Sequence, residues 1–145
     1  MEKKCLRFSE CGQLILGSQA DITSIKSGML DFYTSHIRPE GTILIGDFNS
    51  NVIFDKKNSS ITHRNLVDKL SEKGLKSVYH TKQNQNQGEE LEATFYLYRH
   101  ADKAFHIDYC FASEDFINKL FNIEIGKYDD WKTHSDHTPL ILTFS

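Results

Sequence analysis

Thr42-Ile43-Leu44-Ile45-Gly46-Asp47-Phe48-Asn49-Ser50-Asn51 decides how this chain is read. Thr42 to Ile45 are β-branched or apolar and form a short buried strand, which the glycine ends. An acid and an amide follow, two positions apart. Side chains alternate along extended backbone, so Asp47 and Asn49 point one way while Phe48 points back to the core. A carboxylate and a carboxamide thus leave the rigid end of a strand together, a placement suited to metal or phosphate chemistry. The same residues also serve ordinary turns, because Asp and Asn hydrogen-bond nearby backbone and tolerate unusual dihedrals. For a motif this short, standing alone, the turn is the weightier reading.

The 145 residues are read as a single domain with its first 20 residues poorly defined, long enough to bury a core. Apolar residues make up 39% and charged residues 26%, an ordinary soluble composition. Seventeen Lys and Arg against 20 Asp and Glu leave a net charge of −3, which advertises no nucleic-acid partner. That evidence is weak, because a divalent ion offsets the acids that hold it. Cys5, Cys11 and Cys110 lack metal-ligand spacing and read as free thiols. No apolar run reaches the length of a membrane span and no signal-peptide core follows Met1, so a cytoplasmic location is expected.

Outward from the opening stretch, Gln13 to Leu16 reads as a short strand. Ile22, Ile25, Met29, Phe32 and Tyr33 recur at helical steps between an Asp21 cap and the Pro39 and Gly41 stop. A second helix buries Leu66, Val67 and Leu70 and ends at Gly74. Strands are expected over 75–80, 94–98, 105–112, 120–125 and 138–144, with a mobile polar loop over 83–90 and a helix capped by Ser113.

Two further constellations matter. In Phe105-His106-Ile107-Asp108-Tyr109-Cys110-Phe111, a continuous strand presents His106 and Asp108 on one face and hides Ile107, Tyr109 and Phe111 on the other. In isolation, Asp108 simply pairs with His106 or with nearby backbone. In His134-Ser135-Asp136-His137-Thr138-Pro139-Leu140, Asp136 offers a hard oxygen suited to Mg²⁺, and His137 titrates near neutrality where it can serve a phosphoryl oxygen. Ordinary loop usage is the alternative here too.

Taken in order, Gly46-Asp47-Phe48-Asn49, Ile107-Asp108-Tyr109 and Ser135-Asp136-His137 resemble the signature of the endonuclease/exonuclease/phosphatase superfamily, and Thr94-Phe95-Tyr96 resembles its stretch before the second motif. The resemblance implies an α/β fold, the C-terminal half of a four-layer sandwich with mixed, mainly antiparallel sheets flanked by helices. It implies Mg²⁺-dependent phosphoester hydrolysis, most readily of nucleic acid, with Mn²⁺ as a substitute ion. Asp47 then orients or deprotonates the attacking water, and Asn49 holds the nucleophile, metal or phosphate. Asp136 ligates or neighbours the metal together with Asp47 and Asn49. His137 contacts the scissile phosphate and Asp108 orients His137. Thr94, Tyr96, His106, Asn49 and His137 are the implied substrate contacts. His106 stands where the family often has Arg, so phosphate contact there is expected to be weaker or pH-dependent.

Members of that family are about twice as long, and nothing before Thr42 matches their N-terminal metal-binding Glu or early Asn. The chain is therefore read as the C-terminal half, with an exposed inner sheet face and a need for a homo-oligomer or a separate N-terminal half. The alternative is a non-catalytic remnant acting as a phosphate-binding or oligomerisation module. Phosphomonoesters and phospholipid head groups stay open as substrates beside nucleic acid.

Overall fold

The computed structural model describes residues 4–5, 14–17, 37–59 and 61–145. The helix expected from Asp21 lies outside them. Nine strands are described: β1 (Lys4–Cys5), β2 (Leu14–Gly17), β3 (Ile43–Asp47), β4 (Leu75–Ser77), β5 (Phe95–Tyr96), β6 (Ala104–Phe105), β7 (Asp108–Ser113), β8 (Leu120–Ile125) and β9 (Leu140–Phe144). Four helices accompany them: α1 (His63–Glu72), α2 (Val78–Gln83), α3 (Glu114–Lys119) and α4 (Tyr128–Trp131). The fold is α/β. One sheet has the order β2-β3-β7-β4, in which only the β2–β3 pairing is parallel. A second runs β1-β9-β8 with antiparallel pairings, and β5 and β6 form a small ribbon.

The period-2 alternation of β3 and β7 sorts the core. Ile43, Ile45, Cys110 and Ala112 face the second sheet, where Leu120, Ile123 and Phe144 complete one buried cluster. Leu44, Tyr109 and Phe111 face the other way, onto Leu66 and Leu70 of α1. Strands β3 and β7 of the first sheet are thus covered on both faces, while Phe121 and Ile141 of the second sheet are exposed. In the second sheet β8 and β9 follow the second motif in sequence, and β1 pairs with β9 at its edge.

Helix α1 starts where two side chains satisfy its first amides. Thr62 Oγ1 accepts from Asn65 N at 3.1 Å, and the Asp55 carboxylate accepts from His63 N and Arg64 N at 2.6 and 3.1 Å. It ends at Gly74, whose φ of +80° is left-handed, as its sequence position implied.

Several expected elements differ. The strand over 94–98 stops at Tyr96 and gives way to a 3-10 turn over Leu97–Arg99. The strand over 75–80 stops at Ser77 and becomes α2, because Val78, Tyr79 and His80 turn inward and are buried. The strand over 105–112 is broken at His106 and Ile107. Thr94 Oγ1 accepts both Ile107 N and Asp108 N, at 3.1 and 3.0 Å, and those amides are lost to any ladder. The 83–90 segment is tethered rather than free. His63 Nε2 meets Gln87 Oε1 at 3.2 Å and His80 Nε2 meets Glu90 Oε1 at 2.9 Å, while each ring's Nδ1 meets a serine at 2.7 Å, Ser50 for His63 and Ser77 for His80. No helix among the described residues is long and apolar enough to cross a membrane.

Burial lowers the pKa of His63 to about 4, the nearby Gln87, Asp55 and Glu90 notwithstanding. The folded state therefore keeps this ring neutral while the unfolded chain protonates near 6.5. Its contribution is complete above pH 6.5 and is lost as pH falls toward 4. Lowering the pH from 7 to 4 should cost roughly 3 kcal/mol through this residue. Urea denaturation at several pH values should show His63→Gln to be markedly less acid-sensitive over that interval than the unaltered protein.

Candidate active site

The β3–β7 ladder sets Asp47 directly opposite Asp108. Both lie at the strand ends, and the pairing continues past them through Phe48 N donating to Ile107 O at 2.9 Å. Beyond Asp47 the chain turns through Asn49, whose φ of +48° is left-handed, a conformation Asn tolerates better than most residues. The turn lets Asn49 grip the acid twice, backbone N to Oδ1 at 2.8 Å and Nδ2 to Oδ2 at 3.0 Å. Burial raises the pKa of Asp47 and the Asn49 amide opposes it. The like charge of Asp108 raises it further.

His137 arrives on the loop before β9. Two backbone bonds fasten that loop to the Thr94–Tyr96 segment, Thr138 N to Thr94 O at 2.8 Å and Tyr96 N to Asp136 O at 2.7 Å, and together they make the bridge that pairs Phe95 with His137. The Phe95 ring packs 4.8 Å from the imidazole. His137 Nδ1 meets Asp108 Oδ2 at 2.9 Å, so Nε2 is the atom left to meet a ligand. The Asp108 hydrogen bond raises the imidazole pKa, against desolvation. One ligand atom from each of Asp47, Asp108 and His137 lies within 4.8 Å of the others, and all three side chains are partly exposed.

The other residues named from sequence fall into different places. Asn49 is exposed beside Asp47. Asp136 is exposed and outside the converging group, though its charge reaches His137. Tyr96 is half-buried, its ring 4.6 Å from that of Tyr128. Thr94 and His106, expected as substrate contacts, are interior. Thr94 is fully buried and holds the Ile107 and Asp108 amides. The strand break carries His106 inward, where its ring lies 4.6 Å from Tyr79 and 5.0 Å from Tyr109 and its Nδ1 bonds Glu92 O at 2.8 Å. Asp108 accordingly pairs with His137 and not with His106.

Sequence reasoning passed over Asn51, which is 1% exposed. Its Nδ2 donates to His106 O and to Tyr109 OH, each at 3.0 Å, and its Oδ1 accepts from Ile53 N at 3.0 Å. It rivets the turn after Asp47 to the strand carrying Asp108. Glu90 also reaches this network. Its pKa falls to about 2: burial raises it, but bonds from His80, Gly88 and Asn51 prevail. The only available signal was that Asn51 follows the first motif at once, and an amide there is also ordinary turn chemistry.

No known family model matches the sequence, and no characterised protein matches it in sequence either. Solved structures do. The endonuclease domain of TRAS1, a telomere-specific non-LTR retrotransposon, superimposes with a TM-score of 0.50 at 18% identity over 85% of this chain and 48% of that one. The 3′–5′ exonuclease NExo from Neisseria meningitidis superimposes with a TM-score of 0.55 at 18% identity over 86% of this chain and 52% of that one. At this identity the likeness is one of fold, and the chain has the endonuclease/exonuclease/phosphatase-like fold. It spans about half the length of either neighbour.

Thr94→Val removes the acceptor of two buried amides at nearly constant volume. About 2–4 kcal/mol of stability should be lost in urea denaturation, and Thr94→Ser, which keeps the hydroxyl, should lose much less. Asn51→Ala removes the buried donor to the His106 carbonyl and the Tyr109 hydroxyl and the acceptor of the Ile53 amide, while the Tyr109 OH to His106 O bond at 3.0 Å stays, and should cost about 1–3 kcal/mol in the same measurement.

Proposed function

We propose that this chain carries the site of a metal-dependent phosphodiesterase of nuclease type. The observation that supports the reading most is the convergence of Asp47, Asp108 and His137 within 4.8 Å at the end of a strand pair. Two carboxylates facing each other across a ladder repel, and a cation between them relieves that repulsion. Their hard oxygens suit Mg²⁺, with Mn²⁺ as its substitute, and Asp47 and Asp108 are the residues that would hold it. A divalent ion there supplies the positive charge that a pentacovalent phosphorane dianion needs.

The chain's own groups divide the remaining work. Asp47, held at both oxygens by Asn49, is placed to orient the attacking water or take its proton. His137, kept protonated to higher pH by Asp108, offers Nε2–H to a phosphoryl oxygen. Phe95 keeps the ring from rotating away. The water oxygen bonds to phosphorus as the bond to the leaving oxygen breaks on the opposite side. Nucleic acid is the favoured substrate, in keeping with the nucleases that share the fold. Asp136 and Asn49 lie at the border of the site and would adjust its charge and hydration.

Hydrolysis of plasmid DNA and of bis-p-nitrophenyl phosphate by the purified chain should require Mg²⁺ or Mn²⁺. Asp47→Ala and His137→Ala should each lower kcat/KM by about 100-fold or more with denaturation midpoints little changed. Metal-independent turnover, or activity surviving in both variants, would sink the assignment.

A further inference from the structure

Beside the Asp108–His137 pair lies a cavity of about 350 Å³. Asp108 and His137 line it together with Ile45, Trp131, Pro139 and Leu140. A mainly apolar hollow with a few fixed polar groups is the usual form of a small-ligand site, and this volume lies near the lower end of the usual range. Trp131 is 39% exposed, an unusual amount for the largest apolar side chain in the protein.

The wall is built, not incidental. Trp131 O accepts His134 N at 2.8 Å and Ser135 N at 2.9 Å, so the residue that carries the indole also starts the turn leading to His137. On the other side Gly126 N donates to Pro139 O at 2.9 Å. A Cβ at Gly126 would sit 2.5 Å from Pro139 Cδ and 3.0 Å from Trp131 Nε1, closer than packing allows. The bare glycine lets the indole and the proline ring close together, with the histidine of the site on the same cavity.

We infer that this cavity is a base subsite: it takes the planar ring of a nucleotide, stacked on Trp131, whose phosphate lies at His137. The inference rests on the phosphodiesterase reading for the position of the phosphate, and it selects among the substrates which that chemistry leaves open. A nucleobase presents two apolar faces that gain by leaving water against an indole. The hydroxyl-rich ring of a sugar or polyol phosphate would have to give up its water here to Ile45, Pro139 and Leu140, which return no hydrogen bonds, while the lining hydroxyls of Ser135, Thr138 and Tyr109 are bonded to His137 N, Ala93 O and His106 O.

Trp131 is the only tryptophan in the chain, so its fluorescence reports occupancy directly. Adenosine 5′-monophosphate, titrated in Mg²⁺ into the 145-residue protein, should quench it saturably, and ribose 5-phosphate and inorganic phosphate should not. By calorimetry Trp131→Ala should bind adenosine 5′-monophosphate about 10-fold more weakly, the scale of a lost base–aromatic stack. Trp131→Phe, which keeps a stacking face, should stay within about threefold of the unaltered protein. Equal binding of ribose 5-phosphate and the nucleotide, or unweakened binding by a folded Trp131→Ala, would overturn the inference. Because binding is read without turnover, the two readings fail separately. Nucleotide binding at Trp131 with no hydrolysis of any diester keeps the subsite and removes the phosphodiesterase. Metal-dependent hydrolysis of bis-p-nitrophenyl phosphate with no preference for the base does the reverse.

Discussion

The antiparallel register of β3 against β7 is the constraint on which everything else depends. It pairs Ile43 with Ala112, Ile45 with Cys110 and, at its last step, Asp47 with Asp108. A slip of one residue would turn Ile43 and Ile45 away from the second sheet and Leu44 away from α1, because strand side chains alternate. It would also part the two acids. Core and site are therefore specified by one set of backbone bonds, and burial on both faces makes any other register costly. That coupling explains how two like charges are kept opposite each other: the apolar clusters on either side of the sheet hold the register in which they repel.

Beneath the acids lies a buried polar layer. Tyr109 sits in its middle, with the rings of His63, His106 and His80 at 4.7, 5.0 and 6.1 Å. His63 and His80 each pass a hydrogen bond from a serine to the 83–90 segment, and His106 binds the carbonyl of Glu92 just after it. A polar excursion is thereby turned into the support of the strand that carries Asp108. Such a layer rigidifies when every member is satisfied and is expensive when one is not. His106 Nε2 has no hydrogen-bond partner among the described residues, and burial holds the pKa of that ring down.

Support around the site is unequal. On one side the Thr94–Tyr96 segment clamps both motif loops with short backbone bonds and the Thr94 hydroxyl, so the Asp108–His137 pair is set by a rigid frame. On the other side Trp131 and Pro139 leave open space. An oriented acid–base pair needs the first property, since it loses its use when it swings by an ångström. Choice among substrates needs the second.

Local patterns settled a good deal without any structure. The alternation of Ile43 to Ile45, the Leu66 and Leu70 stripe and the Gly74 stop are short-range signals, because strand period, helix period and left-handed termini act over a few residues, whereas the strand expected to end at Gly46 runs on to Asp47. They defined an α/β chain and put Asp47 at a strand end. What lay beyond them was decided by contacts between residues far apart in sequence. Nothing local marks the break at His106, which exists because the Thr94 hydroxyl takes two amides thirteen and fourteen residues away. Val78 to His80 have strand-like composition but turn into a helix because Ser77 and Tyr109 draw His80 inward. The pairing of Asp108 with His137 spans 29 residues, and the cavity beside it is walled by three separate segments. Periodicity reports which face of an element is buried. Only the packed chain decides which polar group meets which, since a hydrogen bond depends on distance in space and leaves no period in the sequence.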